Sequence, residues 1–253
     1  MIEERIVSDP ITSEGQPDGG KVPIIDPYDG CQLCCPYCFQ LDDENWNQNI
    51  YVHMNIADLL KGRLATWPKS ETIYVGSRCD PYMPIEERYG LTRKCLSILD
   101  ELSINAMIVT KSDNNLIFRD MDILTSFSAG ITVLMGIANI SQIGKGALNN
   151  NILTANKLYS GGVSVWAFIT PVLPYIMDIE KLIGALNADI PIYIDKLRIK
   201  ADTIQAKNMK RFIRQRYPEY AEKYDKILGG NDESYYDEWI GQYAGNSRVK
   251  ILF

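Results

Sequence analysis

The sequence is organised around the stretch Cys31-Gln32-Leu33-Cys34-Cys35-Pro36-Tyr37-Cys38, which places four cysteines in eight residues. Thiols at this density predict a metal site. Zinc held by four thiolates prefers two knuckles separated by an intervening ribbon, because its ligands must reach tetrahedral corners. Cys34 and Cys35 are adjacent, so the spacing argues against zinc.

Three of these cysteines, Cys31, Cys35 and Cys38, form the pattern C-x3-C-x2-C, with Tyr37 before the last one. Such a tight loop can place three thiolates on three irons of a cubane iron–sulfur cluster. One iron then has no protein ligand, and a small molecule can bind at its open position. A zinc or redox centre without catalysis is the competing interpretation, and Cys34 either competes as a ligand or packs.

Composition limits the classes of protein to consider. A chain of 253 residues, 46% of them apolar, is globular and long enough for one α/β barrel-like domain or two smaller ones. Its net charge of −6 gives no overall attraction to nucleic acid, although a local basic patch remains compatible with it. No apolar run reaches the length of a membrane span, Met1–Arg5 does not resemble a secretory signal, and a thiol-rich metal loop fits a reducing compartment. We expect a cytoplasmic protein.

Short apolar runs alternate with helical patterns after residue 22. The strands are predicted at Val22–Ile25, Thr72–Gly76, Ala106–Thr110, Ile131–Ile137, Val163–Ile169 and Ile190–Ile194. The helices are predicted at Ile56–Leu64, Leu91–Leu102, Met121–Phe127, Ile152–Tyr159 and Ile179–Leu186. Strands separated by helices of this length predict right-handed crossovers and a parallel sheet. In such folds the sites lie at the C-terminal ends of the strands.

Two segments flank the repeats of residues 23–200. Residues 1–22 are rich in Ser, Asp, Pro and Gly and lack an apolar period, so they are predicted to be an extended or loose N-terminal leader. Residues 201–253 begin with the charged helix Thr203–Tyr217 and continue as a tyrosine-rich acidic extension. Its aromatic side chains either pack against the main domain or form a platform for a partner.

Several separated segments carry a resemblance to a known family. They are Asp26–Cys38, Gly76–Glu86, Val109–Ser112, Leu116–Leu124 and Pro171–Pro174. Together they resemble the spore photoproduct lyase-like branch of the radical S-adenosylmethionine superfamily, over residues 24–180. The resemblance implies an α/β fold, a six-stranded (β/α)6 partial TIM barrel with a short C-terminal helical extension. It also implies a [4Fe-4S] cluster on the three cysteines, whose unique iron chelates S-adenosylmethionine and whose electron releases a 5'-deoxyadenosyl radical.

The same resemblance assigns residues at the ends of the second and third predicted strands to the cosubstrate. Gly76 and Ser77 meet its methionine end, where a glycine lets the backbone approach closely. Lys111 meets its carboxylate, which suits a flexible cationic donor. The ordinary alternatives are a turn for the glycine and a solvent-facing role for the lysine.

Further assignments come from the resemblance. Asn139 is a ribose or sulfonium-side contact, or a plain loop residue. Tyr37 lies against the adenine, near which the segment containing Val172 also packs. Cys79, outside the cluster loop, matches a hydrogen-donor cysteine of the lesion-repairing members, and a buried inert cysteine is its alternative.

Three functions follow from the resemblance. The first is a radical enzyme that modifies a ribosomally synthesised precursor peptide, as the family's spliceases do when they excise part of a tyrosine. It implies a small accessory recognition protein and an electron donor such as flavodoxin or ferredoxin. The second is a DNA lesion lyase, which Cys79 favours and the acidic charge disfavours. The third is a non-catalytic iron–sulfur scaffold.

Overall fold

The computed structural model describes residues 1–15, 20–42, 45–139, 141–143, 145–230, 234–243 and 245–253 of the chain. The strands are β1 Ile2–Arg5, β2 Thr12–Gly15, β3 Lys21–Ile25, β4 Tyr28–Asp29, β5 Ile50–His53, β6 Ile73–Val75, β7 Ala106–Thr110, β8 Ile131–Gly136, β9 Ser164–Ile169, β10 Ile192–Ile194 and β11 Val249–Ile251. The α-helices are α1 Ile56–Leu64, α2 Glu86–Tyr89, α3 Leu91–Glu101, α4 Met121–Ser126, α5 Asn150–Ser160, α6 Ile179–Ala185, α7 Ile204–Arg216, α8 Ala221–Ile227 and α9 Ser234–Tyr243. Single 3-10 turns lie at Phe39–Asp42, Leu116–Asp120, Gly146–Leu148 and Pro218–Tyr220.

The main sheet has the strand order β11-β10-β9-β8-β7-β6-β3-β2. Every neighbouring pair from β3 to β11 is parallel, and β2 runs antiparallel to β3 at one edge. The six predicted strands lie side by side in the middle of this sheet, so the predicted parallel α/β arrangement is confirmed. The predicted count of six is too low for this sheet, because the described residues form eight strands in it.

The two additional strands, β2 and β11, occupy the two edges and are short. β2 has the sequence Thr-Ser-Glu-Gly, without an apolar residue, and β11 follows the tyrosine-rich segment. β2 therefore lacks the alternation that identifies a strand in sequence, and β11, Val-Lys-Ile, is too short for its alternation to be distinctive. Among the described residues these edge strands do not pair with each other, and the sheet is open.

Residues 1–22, predicted to be an extended or loose leader, are held in place by the pairing of two strands. β1 pairs in parallel with β5, and β2 pairs with β3. Between them the carboxamide of Asn55 accepts from the Val7 N–H and donates to the Val7 carbonyl, each at 2.9 Å. Residues 16–19 of this segment lie outside the described residues. A second sheet of order β1-β5-β4 results, and β4 leads directly into the cysteine loop.

Three of the helices begin at residues whose side chains cap them. Asn149, Asp178 and Thr203 each accept a backbone N–H from the first turn of α5, α6 and α7 respectively. Such caps satisfy donors that a helix leaves unpaired at its N-terminus. On α3 the buried residues recur at helical spacing, which places one face against the core.

The C-terminal extension packs against the main domain instead of standing apart from it. Tyr224 and Tyr236 are buried, and their hydroxyls donate to the carbonyls of Pro174 and Val172 at 3.0 and 3.3 Å. The other tyrosines of the extension are half-buried. These contacts favour the packing interpretation of the aromatic residues. No helix in the part of the chain that the structure describes is both long enough and apolar enough to cross a bilayer.

Candidate active site

A cavity of about 380 Å³ opens at the C-terminal ends of the parallel strands. Its wall is formed by the cysteine loop, the segments that follow β6, β7, β9 and β10, and one residue of α7. The residues predicted from sequence that line it are Cys31, Cys35, Cys38, Tyr37, Gly76, Ser77, Cys79 and Lys111. The fold therefore brings together residues from three segments that are distant in sequence.

The cysteine loop is fixed at its start by backbone contacts. The Cys31 N–H donates to the Trp46 carbonyl at 3.1 Å. Gly30 has a φ of +90°, and a Cβ at this position would lie 2.1 Å from the Asn49 carbonyl oxygen. Only glycine fits here, because a side chain would meet backbone atoms that cannot move aside.

The three predicted ligand thiols are partly buried, whereas Cys34 is exposed. Burial, followed by the negative charge of Asp80, raises the pKa of Cys31 to about 12. Burial also raises the pKa of Cys35 and of Cys38, and the Lys111 ammonium opposes part of that rise. Clustered thiolates are thus unfavourable in this wall without a cationic partner.

This donor set fits an iron–sulfur cluster. Iron binds thiolates, and positive iron offsets the charge that buried thiolates would otherwise carry. Among the described residues, no three His, Cys, Asp or Glu side chains are grouped closely enough to hold one metal ion. A cubane does not require that grouping, since each thiolate binds a different iron.

Lys111 enters the cavity because Gly136 leaves room for its side chain. A Cβ at Gly136 would lie 2.3 Å from Cγ of Lys111. The Lys111 ammonium lies 5.4 Å from the centroid of the Tyr37 ring. Gly136 was not identified from sequence, although it lies at the C-terminal end of the predicted strand Ile131–Ile137 and is the last residue of β8.

Asp80 joins the ends of β6 and β7. Its buried carboxylate accepts from the Lys111 N–H at 2.6 Å, from the Thr110 hydroxyl at 2.9 Å and from the Tyr82 N–H at 2.9 Å. These bonds fix the backbone from which the Lys111 side chain extends. The sequence places Asp80 within a family-like segment but gives no sign of this role.

Gly76 has a structural requirement of its own. Its φ is +80°, and a Cβ would lie 2.2 Å from Cδ of Pro81. Its N–H donates to the Ile25 carbonyl at 3.0 Å, which continues the pairing of β3 and β6. The turn at position 76 therefore requires glycine even without a ligand nearby.

Asn139 and Val172 are not brought to the cavity wall. The Asn139 carboxamide donates to the Lys111 carbonyl and accepts from the Ser141 N–H at 2.9 Å, so it is used within the fold. Val172 is buried, and its N–H donates to the Asp195 carbonyl at 2.9 Å. Thr170 and Pro171, which precede it, line the cavity instead.

Cys79 lies in the cavity wall with only 3% of its surface exposed. Its thiol donates to the Tyr28 carbonyl at 2.8 Å and lies 3.7 Å from Oδ1 of Asp26. Burial raises its pKa well above the ordinary value, with the Asp26 charge as the next cause. Cys79 is therefore a protonated thiol beside the predicted ligand loop.

The segment after β10 forms the opposite wall and was not identified from sequence. It contributes Asp195, Lys196 and Arg198, and the Arg198 guanidinium bonds Asp195 at 2.8 Å. From α7, the Gln205 amide donates to the Tyr37 carbonyl. The sequence does contain a signal for these charged residues, because they directly follow a predicted strand.

Asp26 adds a buried carboxyl behind Cys79. Its Oδ2 has no hydrogen-bond partner among the described residues, and Oδ1 accepts only a long bond of 3.4 Å from the Arg78 N–H besides the Cys79 contact. Burial is the main cause that raises its pKa to about 7, and the contacts with Arg78 oppose it.

We expect Asp26→Asn to remove a pH dependence of stability. The folded protein keeps the Asp26 proton up to about pH 7, whereas the unfolded carboxyl loses it near pH 4. The stability that this group contributes is therefore complete below about pH 4 and is lost as the pH rises to about 7, by at most about 4 kcal/mol. Urea unfolding across this range measures the slope, and exposed Glu87→Gln is the control. An Asn variant with the wild-type slope would rule out this carboxyl as its source.

Comparison with known proteins identifies relatives of this chain. The chain is 31% identical over 209 residues to the uncharacterized protein MJ0683 of Methanocaldococcus jannaschii, covering 78% of this chain and 76% of that protein. It is 23% identical over 201 residues to an uncharacterized protein of Mycobacterium tuberculosis, of which it spans 58%. A scan against protein-family models gave no match.

Solved structures with the same fold are radical S-adenosylmethionine enzymes. Spore photoproduct lyase complexed with dinucleoside spore photoproduct aligns with a TM-score of 0.62 and 14% identity, over 100% of this chain and 82% of that one. Streptococcus suis SuiB bound to precursor peptide SuiA aligns with a TM-score of 0.54 and 15% identity, over 91% of this chain and 48% of that one. The chain belongs to the family that includes MJ0683, and its fold is that of spore photoproduct lyase and SuiB.

Proposed function

We propose that this protein is a radical S-adenosylmethionine enzyme that modifies a ribosomally synthesised peptide, by a splicease-like backbone excision at tyrosine. The observation that carries the proposal is the convergence of Cys31, Cys35, Cys38 and Lys111 on one cavity. A [4Fe-4S] cluster on the three thiols would supply the electron that cleaves S-adenosylmethionine to a 5'-deoxyadenosyl radical.

The residues of the cavity divide the remaining tasks. Lys111 is an ammonium group held in place by Gly136 and by the Asp80 bond to its backbone, and it would neutralise the cosubstrate carboxylate. Tyr37 presents an aromatic ring beside it, with its hydroxyl bonded to the Ala138 carbonyl. A largely apolar wall would limit the water beside a reactive radical.

The peptide substrate is supported by the acidic net charge and by SuiB, which binds its precursor peptide. A cavity of about 380 Å³ holds only a short part of a flexible chain, and ordering such a chain costs entropy. A small accessory protein that captures part of the precursor would raise its local concentration. Flavodoxin or ferredoxin would serve as the electron donor.

A second candidate is repair of a DNA lesion, and Cys79 favours it. The thiol is protonated and lies in the cavity wall, so it can return a hydrogen atom to a product radical without leaving the site. Spore photoproduct lyase also aligns with the whole described fold. Cys79→Ala should then divert the product while cosubstrate cleavage continues, and unchanged product would leave Cys79 with a packing role.

The test uses protein reconstituted anaerobically with iron and sulfide. After reduction, it should convert S-adenosylmethionine to 5'-deoxyadenosine, measured by chromatography. The substrate is identified by adding precursor peptides encoded near this protein's gene, or oligonucleotides that carry spore photoproduct. Tight, salt-sensitive DNA binding with lesion turnover would replace the peptide assignment by the DNA one. An intact cluster without any 5'-deoxyadenosine, substrates included, would leave only the scaffold interpretation.

Lys111→Ala is expected to weaken S-adenosylmethionine binding by about 1.5 to 3 kcal/mol, because a charge-assisted contact is lost. Gly136→Ala should also weaken binding, since its Cβ would lie 2.3 Å from Cγ of Lys111 and displace that side chain. Gly184→Ala is the control, because a Cβ there meets nothing within 4 Å. Equilibrium titration measures binding. Wild-type affinity in both Lys111→Ala and Gly136→Ala would show that Lys111 does not contribute to cosubstrate binding.

A further inference from the structure

Trp46 contacts the cysteine loop through its backbone and its side chain. Its carbonyl accepts the Cys31 N–H at 3.1 Å, and the missing side chain of Gly30 leaves space for that carbonyl. The indole is 4% exposed and lines the cavity. It belongs to the hydrophobic cluster that also contains Tyr28 and Cys79, against which Cys31 and Cys38 pack.

The indole N–H of Trp46 is buried and has no hydrogen-bond partner among the described residues. A buried donor normally has a partner, because leaving it unpaired is costly. Cys38 lines the same cavity and packs against the hydrophobic cluster that contains Trp46. Burial raises the pKa of the Cys38 thiol, and a contact with the Trp46 side chain opposes part of that rise.

The indole N–H is thus an unpaired donor, among the described residues, in a cluster against which a sulfur that we assign as an iron ligand packs. Hydrogen bonds to the sulfurs of an iron–sulfur cluster are one of the means by which a protein sets its reduction potential. Reduction adds negative charge, and a donor to sulfur stabilises the reduced state more than the oxidised one.

We propose that Trp46 is a positioning residue whose indole N–H donates a hydrogen bond to Sγ of Cys38 in the cluster-loaded protein and thereby raises the reduction potential of the cluster. This inference rests on the proposed function, because it requires the cluster. Trp46 also fixes the start of the loop through its carbonyl, so one residue contacts the first and the last ligand cysteine.

The test is a redox titration of the reconstituted protein, followed by electron paramagnetic resonance. Trp46→Phe keeps an aromatic ring and the backbone carbonyl but removes the N–H. We expect the ratio of reduced to oxidised cluster at a fixed potential to fall about tenfold, which corresponds to a midpoint lower by about 59 mV for one electron.

Trp67→Phe is the matched control. Trp67 also has a buried indole N–H without a partner among the described residues, but it does not line the cavity. Its replacement should leave the midpoint unchanged. An equal fall in both variants would overturn the proposal, because it would reflect a general loss of packing. So would a wild-type midpoint in Trp46→Phe with full iron content.

Should Trp46→Phe fail to load iron, benzothienylalanine at position 46 replaces the N–H by sulfur with nearly the same shape. A lower midpoint in that variant supports the hydrogen bond, and an unchanged midpoint overturns it. Failure of the wild-type protein to load iron is a different result, since it would contradict the proposed function itself.

Discussion

Single replacement of Cys31, Cys35 or Cys38 by alanine is expected to abolish both cluster loading and cleavage of S-adenosylmethionine. Each of these thiols is partly buried in the cavity wall, whereas Cys34, the fourth thiol of the loop, is exposed and is not expected to replace a lost ligand. Iron and sulfide analysis after anaerobic reconstitution, with the visible absorption of the cluster, measures the loss.

Cys34→Ala is the informative comparison, because Cys34 is the remaining thiol of the loop. Cys34 is exposed and has a φ of +52°, a conformation that side chains adopt rarely. We expect this variant to load a full cluster. Cys95→Ala, at a buried cysteine of α3 outside the cavity wall, controls for nonspecific loss. Full iron in Cys35→Ala together with loss in Cys34→Ala would show that the ligand register is wrong.

The central strands could be predicted because each is an apolar run between amphipathic helices. β7, for example, begins and ends at the predicted residues, Ala106 and Thr110. The two edge strands and the second sheet could not, because β2 has no apolar residue, β11 is three residues long and β1 pairs with a distant segment. Ile2 pairs with Ile50, and no local period records that contact.

The residues of the candidate site also divide into those that could be predicted from sequence and those that could not. Lys111 and Gly76 could be predicted from the rule that sites lie at strand ends, combined with the resemblance to a known family. The residues that hold the site in place could not be predicted, since the space for Lys111 depends on Gly136 and the start of the cysteine loop depends on the Trp46 carbonyl. Asn139 shows the converse limit, because a residue at a strand end can be used entirely for internal hydrogen bonds.

Long-range contacts also support the site through a buried ionic network. The Glu86 and Asp120 carboxylates are fully buried, and Arg119 bonds them at 2.6 and 2.8 Å. Glu86 also accepts from the Tyr28 hydroxyl and from the Thr92 N–H at 3.0 Å. Since Tyr28 lies in β4, directly before the cysteine loop, the network connects that loop to the segment after β7.

Arg119→Met is expected to destabilise the protein by about 3 kcal/mol, because it leaves Glu86 as a buried charge without a cationic partner. We take the low end of the usual range because Arg119 is itself 29% exposed and Arg93 still bonds Asp120 at 3.0 Å. Urea unfolding measures the loss. Arg214→Met, at the exposed pair with Asp225, is the control and should change stability little.

The double variant Arg119→Met/Glu86→Gln identifies the cause of the loss. A glutamine at position 86 can still accept from the Tyr28 hydroxyl but carries no charge, so we expect it to recover part of the lost stability. The coupling between the two changes is the measured quantity. Unfolding of Arg119→Met at the wild-type urea concentration would contradict the prediction. So would a double variant whose change in stability equals the sum of the two single changes, because the uncompensated Glu86 charge would then not be the cause of the loss. Recovery of stability together with cluster loading would show that the network holds the cysteine loop through Tyr28.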